Sequence, residues 1–254
     1  MPNLTRRRFL TLGALALPAA VGLDARLVEP TNMKVTEFVA NPAGRIRLVH
    51  FSDLHHKGNT RYAAEVIDTI NQLKPDFVCF TGDLVEEARY FAEALEFIGQ
   101  IKAPVYGSPG NHDYWCGAPF DDFQCVFSAT GGRWLVDTSI VLPQYELELV
   151  GMGRGGVPFL PDPKAPRRFL LTHYPKSVDD LHGYHFDWIM AGHSHGGQIR
   201  IPGYGPLALP WGVGPYDLGF FQTDPGPLYV NAGIGTYRLP WRFNCRPEIT
   251  LVRI

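Results

Sequence analysis

Nine side chains able to hold a metal ion or move a proton recur along the chain in short clusters. Asp53-Leu54-His55 and His193-Ser194-His195 each place two donors one residue apart, so that both can reach one ion. Asp83 follows Gly82. Gly110-Asn111-His112-Asp113 concentrates an amide, an imidazole and a carboxylate, and His173 stands alone. Imidazole, carboxylate and amide oxygen donors without a thiolate suit Mn, Fe or Zn. A carboxylate such as Asp83 has two oxygens and can give one to each of two ions. The set exceeds what a single ion takes, and it points to a pair of divalent ions about 3.5–4 Å apart. Each piece alone has a plainer reading. Asp-x-His is common by chance, Gly-Asp and Gly-Asn-His-Asp read as turns, and His-x-His reads as a hydrogen-bonded loop. The ordered set carries the inference.

The elements that must position these groups follow from periodicity. Ile46–Phe51, Phe77–Phe80 and Val105–Tyr106 are short buried strands that feed Asp53, Asp83 and Asn111. Apolar positions at helical spacing predict helices over Thr60–Leu73 and Ala88–Ile101, and residues 120–130 make a third. This β-α-β-α-β opening predicts parallel strands with crossover helices. The second half reads as short antiparallel strands at Trp134–Val136, Ile140–Leu142 and Tyr145–Met152. Strands at Phe169–Thr172 and Trp188–Ala191 then deliver His173 and His193, with a hairpin near Gln198–Pro202 and closing strands near 228–231 and 248–253. Ligands in open α/β sheets gather beyond the carboxyl ends of strands. The expected fold is α/β, with two sheets face to face and helices outside.

The order Asp53-Leu54-His55, Gly82-Asp83, Gly110-Asn111-His112-Asp113, His173, Gly192-His193-Ser194-His195 resembles the calcineurin-like metallophosphoesterase superfamily from about Arg45 onward. The resemblance implies a four-layer α/β/β/α sandwich of two mixed sheets and a phosphoester hydrolase. It implies that Asp53, His55 and His195 hold one metal, that Asn111, His173 and His193 hold the other, and that Asp83 bridges. It makes His112 the residue facing the scissile phosphate, as leaving-group acid or transition-state stabiliser. Asp113 either orients His112 or makes a turn. Gly196–Pro202 and Arg242–Ile249 resemble exported bacterial phosphodiesterases of the superfamily, a group with membrane-associated hydrolases of UDP-2,3-diacylglucosamine. The implied substrates are therefore a phosphodiester or a lipid-linked pyrophosphate. The sequence departs from many relatives in Asn231-Ala232-Gly233-Ile234-Gly235, where an Arg before the Gly is usual, which puts the phosphate-contacting cations in question.

Residues 1–23 read as an address. Arg6, Arg7 and Arg8 precede Phe9–Leu23, fifteen uncharged and largely apolar residues, too few for a span that needs about 20. Thr5-Arg6-Arg7-Arg8-Phe9-Leu10 resembles a twin-arginine export signal. The expected partner is that export machinery and the expected location is the periplasm or cell envelope, with peripheral membrane contact left open. Residues 24–44 read as a tether and 45–254 as the catalytic domain. A formal net charge of -2 with no basic run disfavours nucleic acid. Four cysteines in 254 residues make no disulfide scaffold, although Cys116 and Cys125 could pair. The 27 glycines and 22 prolines point to long ordered loops that carry function. Gly203–Phe221, dense in Pro, Gly and aromatics, is either a packed loop or an apolar lip beside the metals. A nuclease and a non-catalytic metal-binding protein are the competing classes.

Overall fold

The computed structural model describes residues 16, 18–39, 44–153 and 162–254. The Arg6-Arg7 pair lies outside the described residues. Two six-stranded sheets organise the rest. The first runs β1(Lys34–Val39), β14(Glu248–Arg253), β2(Arg47–Phe51), β3(Phe77–Phe80), β4(Val105–Gly107), β5(Arg133–Trp134). The second runs β12(Gly219–Thr223), β13(Gly226–Val230), β9(Trp188–Ala191), β8(Arg167–Leu171), β7(Leu147–Gly151), β6(Thr138–Leu142). β10(Arg200–Ile201) and β11(Gly205–Pro206) form a small separate hairpin. The helices are α1(Thr60–Gln72), α2(Phe91–Gly99), α3(Asn111–Trp115) and α4(Phe120–Ala129).

The period-2 alternation of strands assigns the layers. Leu48, Phe77, Cys79, Phe169, Leu171 and Met190 point between the sheets, and all are buried. Val49, Phe51, Val78 and Phe80 point the other way, into a core shared with α1, α2 and α4. On the far side of the second sheet, Leu170, Ile189 and Val230 are covered by Val178 of a 3₁₀ segment, Pro175–Asp180, by Leu181 just after it, and by Phe186. The expected α/β/β/α sandwich of two mixed sheets is present, with a thin fourth layer.

Three local expectations change. Trp134 belongs to the first sheet, parallel to β4, and does not start an antiparallel set. β7 is antiparallel to β6 but parallel to β8. Within the expected tether, Lys34–Val39 is a strand paired in parallel with Glu248–Arg253. Its partly buried alternation (Lys34, Thr36 and Phe38 turned inward) was too polar to read as a core strand, because it lies on a sheet edge. Among the described residues no helix is long and apolar enough to cross a membrane.

Candidate metal centre

The carboxyl ends of β2, β3, β4, β8 and β9 deliver the predicted donors to one edge of the sandwich. Asp53, His55, Asp83, Asn111, His112, His173, His193 and His195 are all buried. The backbone there is strained. Asp53, His55, Asp83, His193 and His195 all have φ between 41° and 64°, a left-handed conformation that costs a non-glycine residue on the order of 1–3 kcal/mol. The loops tolerate this because they also pass very close to one another. A Cβ at Gly192 would lie 1.9 Å from Ser52 Oγ, and one at Gly110 would lie 2.2 Å from Asp83 Oδ1. Only glycine lets these ligand loops meet.

The donors fall into two overlapping clusters. In one, His195 Nε2 lies 3.1 Å from His55 Nε2 and 3.3 Å from Asp53 Oδ1. In the other, His173 Nε2 lies 3.1 Å from Asn111 Oδ1, 3.0 Å from His193 Nδ1 and 3.2 Å from Asp83 Oδ2. Asp83 Oδ2 is also 3.4 Å from His55 Nε2, so the same carboxylate oxygen borders both clusters. Two donors bound to one ion at about 2.1 Å stand about 3.0–3.4 Å apart at right-angled to tetrahedral geometry.

The outward ring nitrogens settle what the inward ones can do. His173 Nδ1 donates to the Thr81 carbonyl at 2.7 Å, and His193 Nε2 donates to the Trp211 carbonyl at 2.7 Å. Their facing nitrogens, 3.0 Å apart, would both present lone pairs in the neutral rings, so positive charge must lie between them. Burial opposes charge on His173, but Asp83 and Asp53 outweigh it and push its pKa up to about 9. Burial likewise opposes charge on His55, and Asp53, Glu86 and Asp83 push it up to about 9. Burial and the His173 charge push His193 down to about 4. Asp53 and Asp83 are held below the usual carboxylate range by surrounding imidazoles despite complete burial. A buried set of imidazole, carboxylate and amide oxygen donors at these spacings fits a dinuclear metal site.

His112 stands beside rather than within the clusters. Its backbone N–H donates to Asp83 Oδ1 at 2.7 Å, and its ring packs edge-on to His55 and Tyr237 and against Trp115. Burial keeps its pKa below the ordinary imidazole value. Asp113 resolves to the turn role. Its carboxylate accepts the N–H groups of Gly110, Asp83 and Leu84 at 2.8–2.9 Å, tying the second ligand loop to the third. Burial and the charge of Asp83 raise its pKa to about 6.

Sequence reasoning missed three contributors. Glu86 Oε2 accepts from His55 Nδ1 at 2.8 Å and lies 3.6 Å from His112 Nδ1. Its only signal was an acid three residues after Asp83, which reads as a solvated loop charge. The Trp211 carbonyl has no side-chain signature at all. Arg242 is the largest fully buried side chain, and its guanidinium donates to the carbonyls of Ala232, Gly233, Gly235 and Cys245. That loop in turn supports the first ligand loop, with Gly235 N–H donating to the Asp53 carbonyl at 2.7 Å. Asn231 accepts from Gly233 N–H and donates to Thr250 Oγ1, both within the protein interior. His50 is packed and bonded to Thr81 Oγ1, while His56 turns away to Glu93. His182 and His185 are on the surface. Cys116 and Cys125 are free thiols, not a disulfide.

The calcineurin-like phosphoesterase family profile matches residues 46–197, and the chain belongs to that family. It is 31% identical to the metallophosphoesterase YkuE of Bacillus subtilis, over 99% of this chain and 98% of that one. It is 26% identical to the phosphodiesterase YaeI of Escherichia coli, over 99% of both. It is 25% identical to the UDP-2,3-diacylglucosamine pyrophosphatase LpxG of Chlamydia trachomatis, over 94% of both. The protein is a metallophosphoesterase, a hydrolase that uses divalent metals.

Proposed function

We propose that the chain hydrolyses phosphodiester bonds, with Asp53, His55 and His195 holding one divalent cation, Asn111, His173 and His193 the other, and Asp83 shared between them. The observation that supports this most is the closing of the Asp83 carboxylate on His55 and His173, 3.4 and 3.2 Å away on opposite clusters. Two bound cations supply Lewis acidity at the phosphoryl oxygens and lower the pKa of an attacking water. The chain's own residues do the rest. Asp113 and Asp83 lock the α3 turn, which fixes where the His112 ring stands. With Nδ1 turned to Glu86, His112 Nε2 is the ring nitrogen left to meet the leaving oxygen. As the imidazolium, whose charge the Glu86 carboxylate faces, His112 gives up the Nε2 proton to the leaving oxygen and becomes the neutral ring with Nδ1–H toward Glu86. His173 and His193 are fixed in tautomer by backbone carbonyls and so present one lone pair each without rearrangement.

A second reading is a pyrophosphatase acting on a lipid-linked nucleotide. It is favoured by the likeness to LpxG and by the exposed apolar side chains near the centre, Trp115 and Trp211 among them. Turnover of bis-aryl phosphate, single-stranded DNA and UDP-2,3-diacylglucosamine by the Mn-loaded protein separates the readings. Phosphodiester activity is expected on the aryl substrate. Hydrolysis of DNA alone would make the protein a nuclease and overturn the lipid-linked pyrophosphatase reading, and no turnover of any of the three would overturn the proposed activity. We also propose export by the twin-arginine route to the cell envelope, on the strength of Arg6-Arg7 and the apolar run that follows. Replacing both arginines with lysine should retain the protein in the cytoplasm, and unchanged export would exclude that route.

A further inference from the structure

Sixteen consecutive residues, Ile201 to Tyr216, carry no charged side chain. Five of the large apolar ones are exposed: Ile201, Tyr204 at 77%, Leu207, Leu209 and Trp211 at 89%. This stretch is fastened to the ligand loop at two points. Leu207 N–H donates to the Ile199 carbonyl, four residues past His195, and the Trp211 carbonyl receives His193 Nε2. The exposed tip therefore stands at the rim of the metal centre, and a packed loop would have hidden these side chains.

The segment that leads into the domain lies along the same edge. Arg200 N–H donates to the Phe243 carbonyl, and Phe243 N–H to that of Gln198, which sets 242–245 beside the hairpin. On the other side of 242–245, Arg242 N–H donates to the Ala25 carbonyl, and the buried Glu29 carboxylate receives the N–H groups of Asn244 and Cys245. Leu23, Leu27 and Val28 are exposed there, and in the sequence they follow the uncharged run Phe9–Leu23. Two separate segments thus leave apolar side chains in water along one edge, with exposed Arg26 (two residues after exposed Asp24) on the leading segment and exposed Arg238 four residues before Arg242.

We propose that residues 201–211 dock onto a lipid bilayer bearing anionic headgroups, with the metal centre turned toward that surface. Tyr and Trp suit the interface because each joins an apolar ring to a polar edge. Leu207 and Leu209 enter the acyl boundary, as the apolar face of an interfacial segment does, and the arginines meet anionic headgroups. The inference does not depend on which phosphodiester is cleaved.

The test uses the full chain and vesicles of phosphatidylcholine with phosphatidylglycerol, part of the lipid carrying brominated acyl chains. Tryptophan fluorescence of the wild type should be quenched on vesicle addition, and most of that quenching should vanish in Trp211→Phe. Tyr204→Glu/Leu207→Glu should weaken vesicle partition at least tenfold while turning over soluble bis-aryl phosphate as the wild type does. That retained turnover shows the double variant is folded; if it is lost, the Trp211→Phe comparison decides alone. Quenching that persists in both variants would assign docking to the leader and overturn the proposal. So would a wild type that ignores vesicles, or one that is a dimer in solution and becomes monomeric in the double variant.

Discussion

Asp83→Asn should separate the two demands made on this side chain. In the wild type its carboxylate accepts from His112 N–H through Oδ1, while Oδ2 lies between His55 Nε2 and His173 Nε2. An asparagine keeps the first contact and turns an NH₂ group toward the two imidazoles, donating to lone pairs that a carboxylate would leave for cations. The metal-free variant should be less stable than the wild type at pH 7, because His55 and His173 lose the carboxylate that helps hold them charged. Its response to metal should collapse. At a free concentration one hundred times Kd, each cation stabilises the folded chain by about 2.7 kcal/mol. For a chain of this size that amounts to roughly 5–10 °C of Tm per ion. Thermal unfolding of chelator-stripped protein, with and without Mn, should show this rise in the wild type and less than half of it in the variant. Hydrolysis of bis-aryl phosphate should fall at least a thousandfold. A variant that kept the wild-type Tm rise, or turned over within tenfold of wild type, would refute the shared-carboxylate reasoning.

Other substitutions probe the surrounding groups. His112→Ala should retain the metal-dependent Tm rise and lose roughly 10²–10⁴-fold in kcat, the usual contribution of a positioned acid; a metal-replete variant with wild-type kcat would remove the assigned role. Glu86→Gln should weaken metal affinity about 10–100-fold, as loss of the partner that fixes a ligating imidazole does, and titration with Mn followed by calorimetry checks it. His50 bears on acid stability: burial holds its pKa down at about 3 although the Asp53 charge opposes this. The unfolded chain then takes up a proton below about pH 6.5 that the folded chain refuses. Its contribution is complete above pH 6.5 and is lost as pH falls toward 3, at up to about 1.4 kcal/mol per pH unit. His50→Gln should remove that slope, read as the difference between wild-type and variant unfolding free energies from pH 7 to 4 in metal-free buffer.

The parts of the site legible in the sequence were those that a side chain announces. Asp53, His55, Asp83, Asn111, His173, His193 and His195 could be found because each follows a short buried strand, and strand ends in a sandwich of this kind share an edge. What stayed hidden was made by backbone or by charges with two plausible readings. The Trp211 carbonyl is invisible to residue type, and Glu86 looks like a solvated acid until His55 is seen against it. Asp113 had two roles open, and only the three backbone N–H groups at its carboxylate decide for the turn. The fold was legible where strands are fully buried and run as apolar stretches. It failed at the edges: Lys34–Val39 pairs only on one side, so its polar positions masked it, and the sheet membership of Trp134 depends on Gly107, 27 residues earlier.

The pairing of Lys34–Val39 and Arg47–Phe51 with Glu248–Arg253 has a temporal meaning. The first strands of the domain made at the ribosome flank one of the last, more than 190 residues on. Loop-closure cost makes such distant pairings slow relative to local ones. The Asp53 loop leaves the strand that waits for this partner, and Glu248 itself accepts Ala232 N–H beside that loop. Until residues 248–253 are in place, the first ligand cluster has no finished scaffold. Cation binding at that cluster should therefore follow the pairing of residues 248–253 with the earlier strands.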